Sequence, residues 1–170
     1  RMPLTTYMKD EDLPAFEDYS MANRTYRYFN GEVRYPFGYG LSYTTFAYQP
    51  LSNASTVKTS ENIQVTTTVT NTGQRDGDEV VQLYVIHPQN GNTRVPLHSL
   101  KGFKRIHLGK GESQSVTFTL TPEDLALVDD KGNLVEKEGP VKLYIGGGQP
   151  DKSKGSFGEL KVEGDTFVVY

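Results

Sequence analysis

The sequence predicts an all-β sandwich of about seven strands, preceded by an extended, aromatic-rich arm spanning residues 1–45. Three observations carry this. From residue 46 onward apolar and polar residues alternate with a period of two, as in strands with one buried face. Turn signals interrupt that alternation every ~8–12 residues. Ahead of it, Tyr35-Pro-Phe-Gly-Tyr-Gly-Leu-Ser-Tyr-Thr-Thr-Phe46 packs five aromatics and two glycines into one short block. Pro36 fixes its own φ and favours an extended Tyr35, while Gly38 and Gly40 let the backbone turn between packed rings. The block reads as an aromatic-pinned connector into a β domain.

In chain order, Leu4–Tyr7 is a short strand candidate. The acidic stretch Asp10–Asp18 follows, with Leu13 and Phe16 as isolated apolar anchors and no sustained period. Tyr43 to Tyr48 is strand-favouring. Ile63, Val65, Thr67 and Val69 form one face of a strand closed by the turn Asn71-Thr-Gly73. Val81, Leu83 and Val85 share a face of the next strand, but Val80, Tyr84 and Ile86 make its other face apolar too, which predicts cover from both sides. Leu100–Leu108 and Val116-Phe118-Leu120 are two more strands, separated by Gly109-Lys-Gly-Glu112. Thr121-Pro-Glu-Asp124 is a helix start: Thr as N-cap, Pro at the first position, acids in the first turn. Asp129-Asp-Lys-Gly-Asn133 reads as a hairpin turn. Val141, Leu143 and Ile145 form a strand ended by Gly146-Gly-Gly148, and Leu160–Val162 and Phe167–Tyr170 complete an immunoglobulin-like pattern.

Composition excludes several function classes. The 170 residues carry 18 Lys+Arg against 21 Asp+Glu, which leaves no basic face for nucleic acid. No apolar run approaches the ~20 residues of a membrane span. Zero cysteines exclude disulfides and thiolate metal ligands but decide no compartment.

No residue pattern makes a convincing site. Asp10, Glu11, Asp12, Glu17 and Asp18 could supply a carboxylate pair ~5–10 Å apart, but nothing gives them a concave, desolvated setting, and a solvated arm is the simpler reading. His87, His98 and His107 lack paired ligand spacing. Asp129, Asp130 and Asn133 lack the 12-residue series of a calcium loop. Gly146-Gly-Gly148 has no Lys-Ser/Thr after it, so it is not a phosphate loop. The 11 tyrosines could form a sugar-stacking platform, but most sit where packing explains them, and Trp is absent. Asn23-Arg-Thr25 and Asn53-Ala-Ser55 match the glycosylation sequon, which matters only in a eukaryotic secretory host. The expected catalytic, cofactor-binding and metal sets are therefore empty.

One resemblance covers nearly the whole chain. Asn23-Arg-Thr-Tyr-Arg-Tyr-Phe29, the Tyr35–Tyr43 block, Val69-Thr-Asn-Thr-Gly73, Gly77-Asp-Glu-Val-Val-Gln-Leu-Tyr-Val85, Leu100-Lys-Gly-Phe103 and Leu120-Thr-Pro-Glu-Asp-Leu125 stand in order. Together they resemble the carboxy-terminal region of glycoside hydrolase family 3 enzymes, where a fibronectin type III-like sandwich follows an α/β domain. The resemblance implies that residues 1–45 are the tail of that α/β domain plus a connector, and that residues 46–170 are the fibronectin type III-like domain. It also implies a retaining hydrolase whose nucleophilic aspartate and acid/base glutamate lie on other domains. A (β/α)₈ barrel alone needs ~250 residues, so the chain is expected to be a fragment, inactive alone.

The expected role is a non-catalytic accessory module of an exo-acting β-xylosidase or β-glucosidase, periplasmic or secreted. Its partners would be the catalytic domains of the same polypeptide, with homodimerisation, an arm swap and weak oligosaccharide contact as further options. A carbohydrate-binding module and a free-standing interaction domain are the alternatives. The long arm argues against the last, and Leu13-Pro-Ala-Phe-Glu-Asp-Tyr19 followed by Asn23–Phe29 looks more like the β-xylosidase branch.

Overall fold

The computed structural model describes residues 1–89 and 95–169. Tyr170, the end of the predicted tail strand, lies outside the described residues. Two sheets face each other. One runs in the order β5 (Thr56–Lys58), β13 (Gly155–Glu163), β12 (Gly139–Gly146), β7 (Gly77–Ile86), β8 (Ser99–Leu108). In the other, β6 (Ile63–Asn71) pairs along one edge with β9 (Ser113–Leu120) and along the other with β3 (Phe46–Tyr48) and then β4 (Ser52–Asn53). All pairings in the two sheets are antiparallel except β5 with β13.

The core follows from the alternation. Ile63, Val65 and Val69 of β6 and Val116, Phe118 and Leu120 of β9 meet Val81, Leu83 and Val85 of β7, Val141, Leu143 and Ile145 of β12, and Leu160 and Val162 of β13. Strand residues between them point away, as the pleat requires. Thr67 shares the buried face of β6, and its hydroxyl donates to the Gln49 carbonyl at 2.8 Å, which offsets the cost of its burial.

Small elements close the sandwich. Thr121 caps α2 (Pro122–Leu125) in a reciprocal box with Asp124, which drives Leu125 into the core. Asp129 holds the hairpin between β10 (Leu127–Val128) and β11 (Leu134–Glu136) by accepting from the Lys131 and Asn133 backbone N–H groups, both at 2.8 Å. β14 (Phe167–Val168) pairs with β11 as a third strand. The tail is more strand-rich than the sequence pattern suggests, because β13 begins at Gly155 rather than at Leu160.

The arm is only partly extended. β1 (Thr6–Tyr7) pairs with β2 (Val33–Tyr35), Asp10–Asp12 form a 3₁₀ turn, and α1 (Thr25–Tyr28) is a single helical turn. No helix among the described residues is long and apolar enough to cross a membrane.

Phe118 is buried mid-strand, with the Lys104 ammonium 5.4 Å from its ring centroid and Gly102 against its edge. Phe118→Ala should cost about 3–5 kcal/mol, read as a lowered urea midpoint at unchanged slope.

Candidate functional site: the junction of arm and sandwich

Chemistry-bearing side chains gather where the arm crosses the outer face of the five-stranded sheet. The cause is in β7 and β12. Their even-numbered residues Gln82, Tyr84 and Tyr144 face away from the core, yet Tyr84 and Tyr144 are almost wholly buried. The arm supplies the cover over Tyr84. Tyr26 meets Tyr84 edge-on at 6.3 Å and stacks flat on Phe37 at 4.2 Å, while Tyr84 meets His98 edge-on at 5.7 Å. On the far side Tyr144 leans on Phe157 at 4.8 Å. This aromatic layer is a second, smaller core.

Polar groups within it are placed by short bonds. The Tyr84 hydroxyl donates to Gln82 Oε1 at 2.7 Å, and the Tyr144 hydroxyl donates to the Ser153 carbonyl at 2.9 Å. Gly38 sits at φ +77°, where a side chain would be strained, and a Cβ there would lie 2.7 Å from Gln82 Oε1. Glycine at this point lets the connector press onto the sheet. Backbone bonds fasten it further: the Leu97 N–H donates to the Arg27 carbonyl at 2.7 Å, and the Gly38 N–H to the Met2 carbonyl at 2.8 Å.

Two polar anchors pin the ends of the connector. Asn71, fully buried, accepts from Thr44 Oγ1 at 2.6 Å and from the Gly73 N–H at 3.0 Å. Its amide donates to the carbonyls of Arg75 and Leu108. Arg1 pairs with the buried Glu79 carboxylate and donates to the Gly40 carbonyl at 2.9 Å. Burial pushes the Glu79 carboxyl above its ordinary value, with the Arg1 guanidinium opposing. Burial first, and then the Glu79 charge, raises the nearby Tyr48 phenol.

The residues singled out from the sequence fall in different places. Asp10, Glu11, Glu17 and Asp18 are exposed, and Asp12 bonds the Lys9 backbone N–H at 3.2 Å. Asp18 accepts from the Ser20 N–H at 2.8 Å, and its bonds to Ser20 hold its carboxyl below the ordinary range. His107 is exposed and pairs with Asp78 at 2.7 Å. Burial lowers His87 and His98 to about 4. Of the three histidines, His98 reaches the arm junction. Asp129 spends its carboxylate on its own turn, and both oxygens engage Lys131 or Asn133. The Asn53 amide donates to Ala54 and Glu159 carbonyls, so that sequon asparagine is committed to packing. Gly146-Gly-Gly148 is not a loose strand end. A Cβ on Gly146 would lie 2.3 Å from Tyr144 Oη, and one on Gly147 would lie 2.7 Å from Glu79 Oε1.

The sequence expectation that Tyr35, Phe37, Tyr39 and Tyr43 pin the arm is corrected in part. Phe37 does, and Tyr35 and Tyr39 lean on each other at 5.1 Å, but Tyr43 is 94 % exposed. Tyr26 and Phe29 are the pins that sequence reasoning missed. Phe29 is buried against Tyr7, edge to face at 4.7 Å. Their wide i, i+3 spacing in a short aromatic cluster was the available signal.

Between arm and sheet lies a cavity of about 300 Å³, lined by Thr5, Phe29, Ile86, His98, Gln149 and Asp151 among others.

With that geometry in place, comparison with known proteins identifies the domain. Residues 79–149 match the fibronectin type III-like domain family. The similarity takes in the arm as well: β-xylosidases and β-glucosidases of glycoside hydrolase family 3 match 89 % of the chain, which corresponds to a fibronectin type III-like region within them. It is 40 % identical over 154 residues to a xylan 1,4-β-xylosidase of Xylanibacter ruminicola, covering 89 % of this chain and 17 % of that protein. A β-glucosidase of Bacteroides ovatus is 34 % identical over 170 residues, covering 89 % of this chain and 23 % of that one. Among solved structures, a β-D-glucoside glucohydrolase from Trichoderma reesei superposes with a TM-score of 0.81 at 28 % identity, over 95 % of this chain and 26 % of its own. The chain thus spans about a fifth of the length of the curated relatives it matches. A periplasmic β-glucosidase of Salmonella typhimurium is also among these relatives.

Two predictions come from the junction. Phe37→Ala should cost about 1–3 kcal/mol, since a half-buried ring leaves the Tyr26 stack, whereas Phe16→Ala should change the urea midpoint little because Phe16 is 89 % exposed. The reverse ranking would make the acidic stretch the real anchor. The second concerns pH. His87 and His98 titrate near 4 when folded and near 6.5 when unfolded, so below about pH 6.5 the unfolded chain binds protons that the native one does not. Stability should be complete above that pH and fall as pH drops towards 4. The raised carboxyls of Glu79 and Glu136 take up protons in the native state first and offset part of the loss at the acid end. His98→Phe should flatten the plot of unfolding free energy against pH between 6.5 and 5, and an unchanged slope would contradict it.

Proposed function

We propose that this chain is a non-catalytic accessory module of a retaining family 3 β-glycosidase, and that its arm is a two-sided adaptor to the catalytic domains. The observation that carries this is the distribution of the arm's aromatics. Tyr26, Phe29 and Phe37 face the sandwich, while Phe16, Tyr19, Leu41 and Tyr43 are each 88–94 % exposed. Isolated exposed apolar residues are ordinary, but a run of them along one arm marks a surface that meets another body. The long catalytic relatives, of which the chain matches about a fifth, supply a source for that body within the same polypeptide. Inward rings hold the arm on the module and outward rings dock the preceding domains.

The substrate reading favours an aryl or oligomeric β-xyloside over a β-glucoside, on the likeness of the Leu13–Phe29 segment to the β-xylosidase branch. A periplasmic or secreted location fits the periplasmic relative.

The test uses two proteins. The purified 170-residue chain should turn over neither aryl β-xyloside nor aryl β-glucoside. In the full-length enzyme, Phe16→Ser with Tyr19→Ser and Tyr43→Ser should lower the melting midpoint of the catalytic domains by several degrees. The same changes in the isolated chain should leave its midpoint unaltered, because those rings are 89–94 % exposed there. Equal loss in both settings would mean that the rings serve the module itself and not a docked domain.

A further inference from the structure

Among the described residues, buried polar side-chain atoms without a hydrogen-bond partner are few, and three of them meet at one place. Thr5 Oγ1, His98 Nε2 and Gln149 Oε1 are unpartnered, and all three residues line the cavity of about 300 Å³ between arm and sandwich. His98 and Gln149 are each more than nine-tenths buried. An unpaired buried polar group costs free energy, and the great majority in folded proteins are satisfied. Three at one cavity, contributed by distant parts of the chain, mark a place where a partner belongs.

The chemistry of that partner can be read from the lining. The three groups are a hydroxyl, an imidazole and a carboxamide, all neutral near pH 7, since burial keeps His98 unprotonated down to about pH 4. Val33, Ile86, Leu97 and Pro150 supply apolar wall. Asp151 and Lys152 stand side by side in the lining with opposite charges, so no net charge favours an ion. Asp151 sits at φ 59° in the turn 149–152 at the cavity wall, which the Lys152 N–H closes by donating to the Gln149 carbonyl at 3.2 Å. An apolar guest would leave the three polar groups unpaired, and a charged one of either sign would meet a like charge beside its counter-charge. A neutral ligand rich in hydroxyls, with apolar C–H edges, satisfies both kinds of surface. The volume lies at the lower end of ligand sites, about 300–1,000 Å³, which suits one ring and not a chain.

We propose that this cavity binds a single neutral pyranose, its hydroxyls completing the hydrogen bonding of Thr5, His98 and Gln149. Recognition is by hydrogen bonds and not by stacking, because one face of the Tyr26 ring at the cavity is already taken by Phe37. The site is separate from the outward aromatics of the arm, so it stands or falls independently of the docking role.

The experiment is a ¹H–¹⁵N correlation titration of the 170-residue chain with D-xylose, D-glucose and D-glucuronate. The expected result is saturable shifts centred on Thr5, His98 and Gln149 for a neutral sugar, with Kd on the order of millimolar for so small a ligand, and at least about tenfold weaker binding of glucuronate. Thr5→Val and Gln149→Met should each weaken binding about tenfold or more while the spectrum stays dispersed. If one of them fails to fold, the other together with His98→Phe decides. Absence of saturable shifts would leave the cavity to water alone and overturn the proposal. So would shifts centred on Tyr19 or Tyr43, or folded variants that bind as the parent does.

Discussion

The structure depends on one constraint: β7 and β12 are buried on both faces. The inner face is served by the opposing sheet, through Val81, Leu83 and Val85 and through Val141, Leu143 and Ile145. The outer face carries Tyr84 and Tyr144, whose rings would each expose a large apolar area if nothing lay over them. Over Tyr144 the cover is Phe157 of β13 and the Ser153 segment, but over Tyr84 it comes from chain outside the sheets, the arm and connector. Their course follows from the need: Tyr26 and Phe37 over Tyr84, Gly38 over Gln82, Asn71 gripping Thr44 where the connector enters β3.

Much of this was legible in residues 46–170, because period-two alternation is a direct imprint of a half-buried pleat. Ile63–Val69 and Val116–Leu120 showed it cleanly, and the helix cap at Thr121 and the Asp129 turn are chemical signals that act over a few residues. The doubly apolar pattern of β7 even announced a second covering layer. The short strands β4 and β5 had no such imprint, since two or three residues cannot establish a period. β13 hid its first half because Gly155-Ser-Phe-Gly offers little apolar alternation and takes its place by pairing with β12.

The arm was harder for a physical reason. Its aromatics are similar in type and crowded in sequence, and which ring turns inward is decided by a surface far along the chain. Tyr43 stands one residue from the buried Thr44 and points to solvent, while Tyr26, in a stretch with no period, lies across the sheet. The cavity is further still from sequence reading, because Thr5, His98 and Gln149 share no motif and become neighbours only once arm and sandwich are joined. The two buried histidines show no ligand spacing in the sequence, and their burial, which lowers both pKa values, is equally invisible there.

A cover layer that is not part of either sheet has a consequence for how the module can be divided. Residues 8–22 bury little, yet residues 1–7 return to the connector through β1 and the Met2 backbone, and to β7 through the Arg1–Glu79 pair. Glu79 is the costly element here, a carboxylate taken from water and matched by one guanidinium. Removing Arg1 would leave that charge buried beside Tyr48 with its main partner gone, whereas removing both charges would release neither arm nor sheet from the aromatic layer. The ion pair therefore sets where the chain's first residues lie, and the rings set whether the arm stays down at all. Attachment by apolar area and registration by a single buried charge are distinct tasks, and this junction assigns them to different residues.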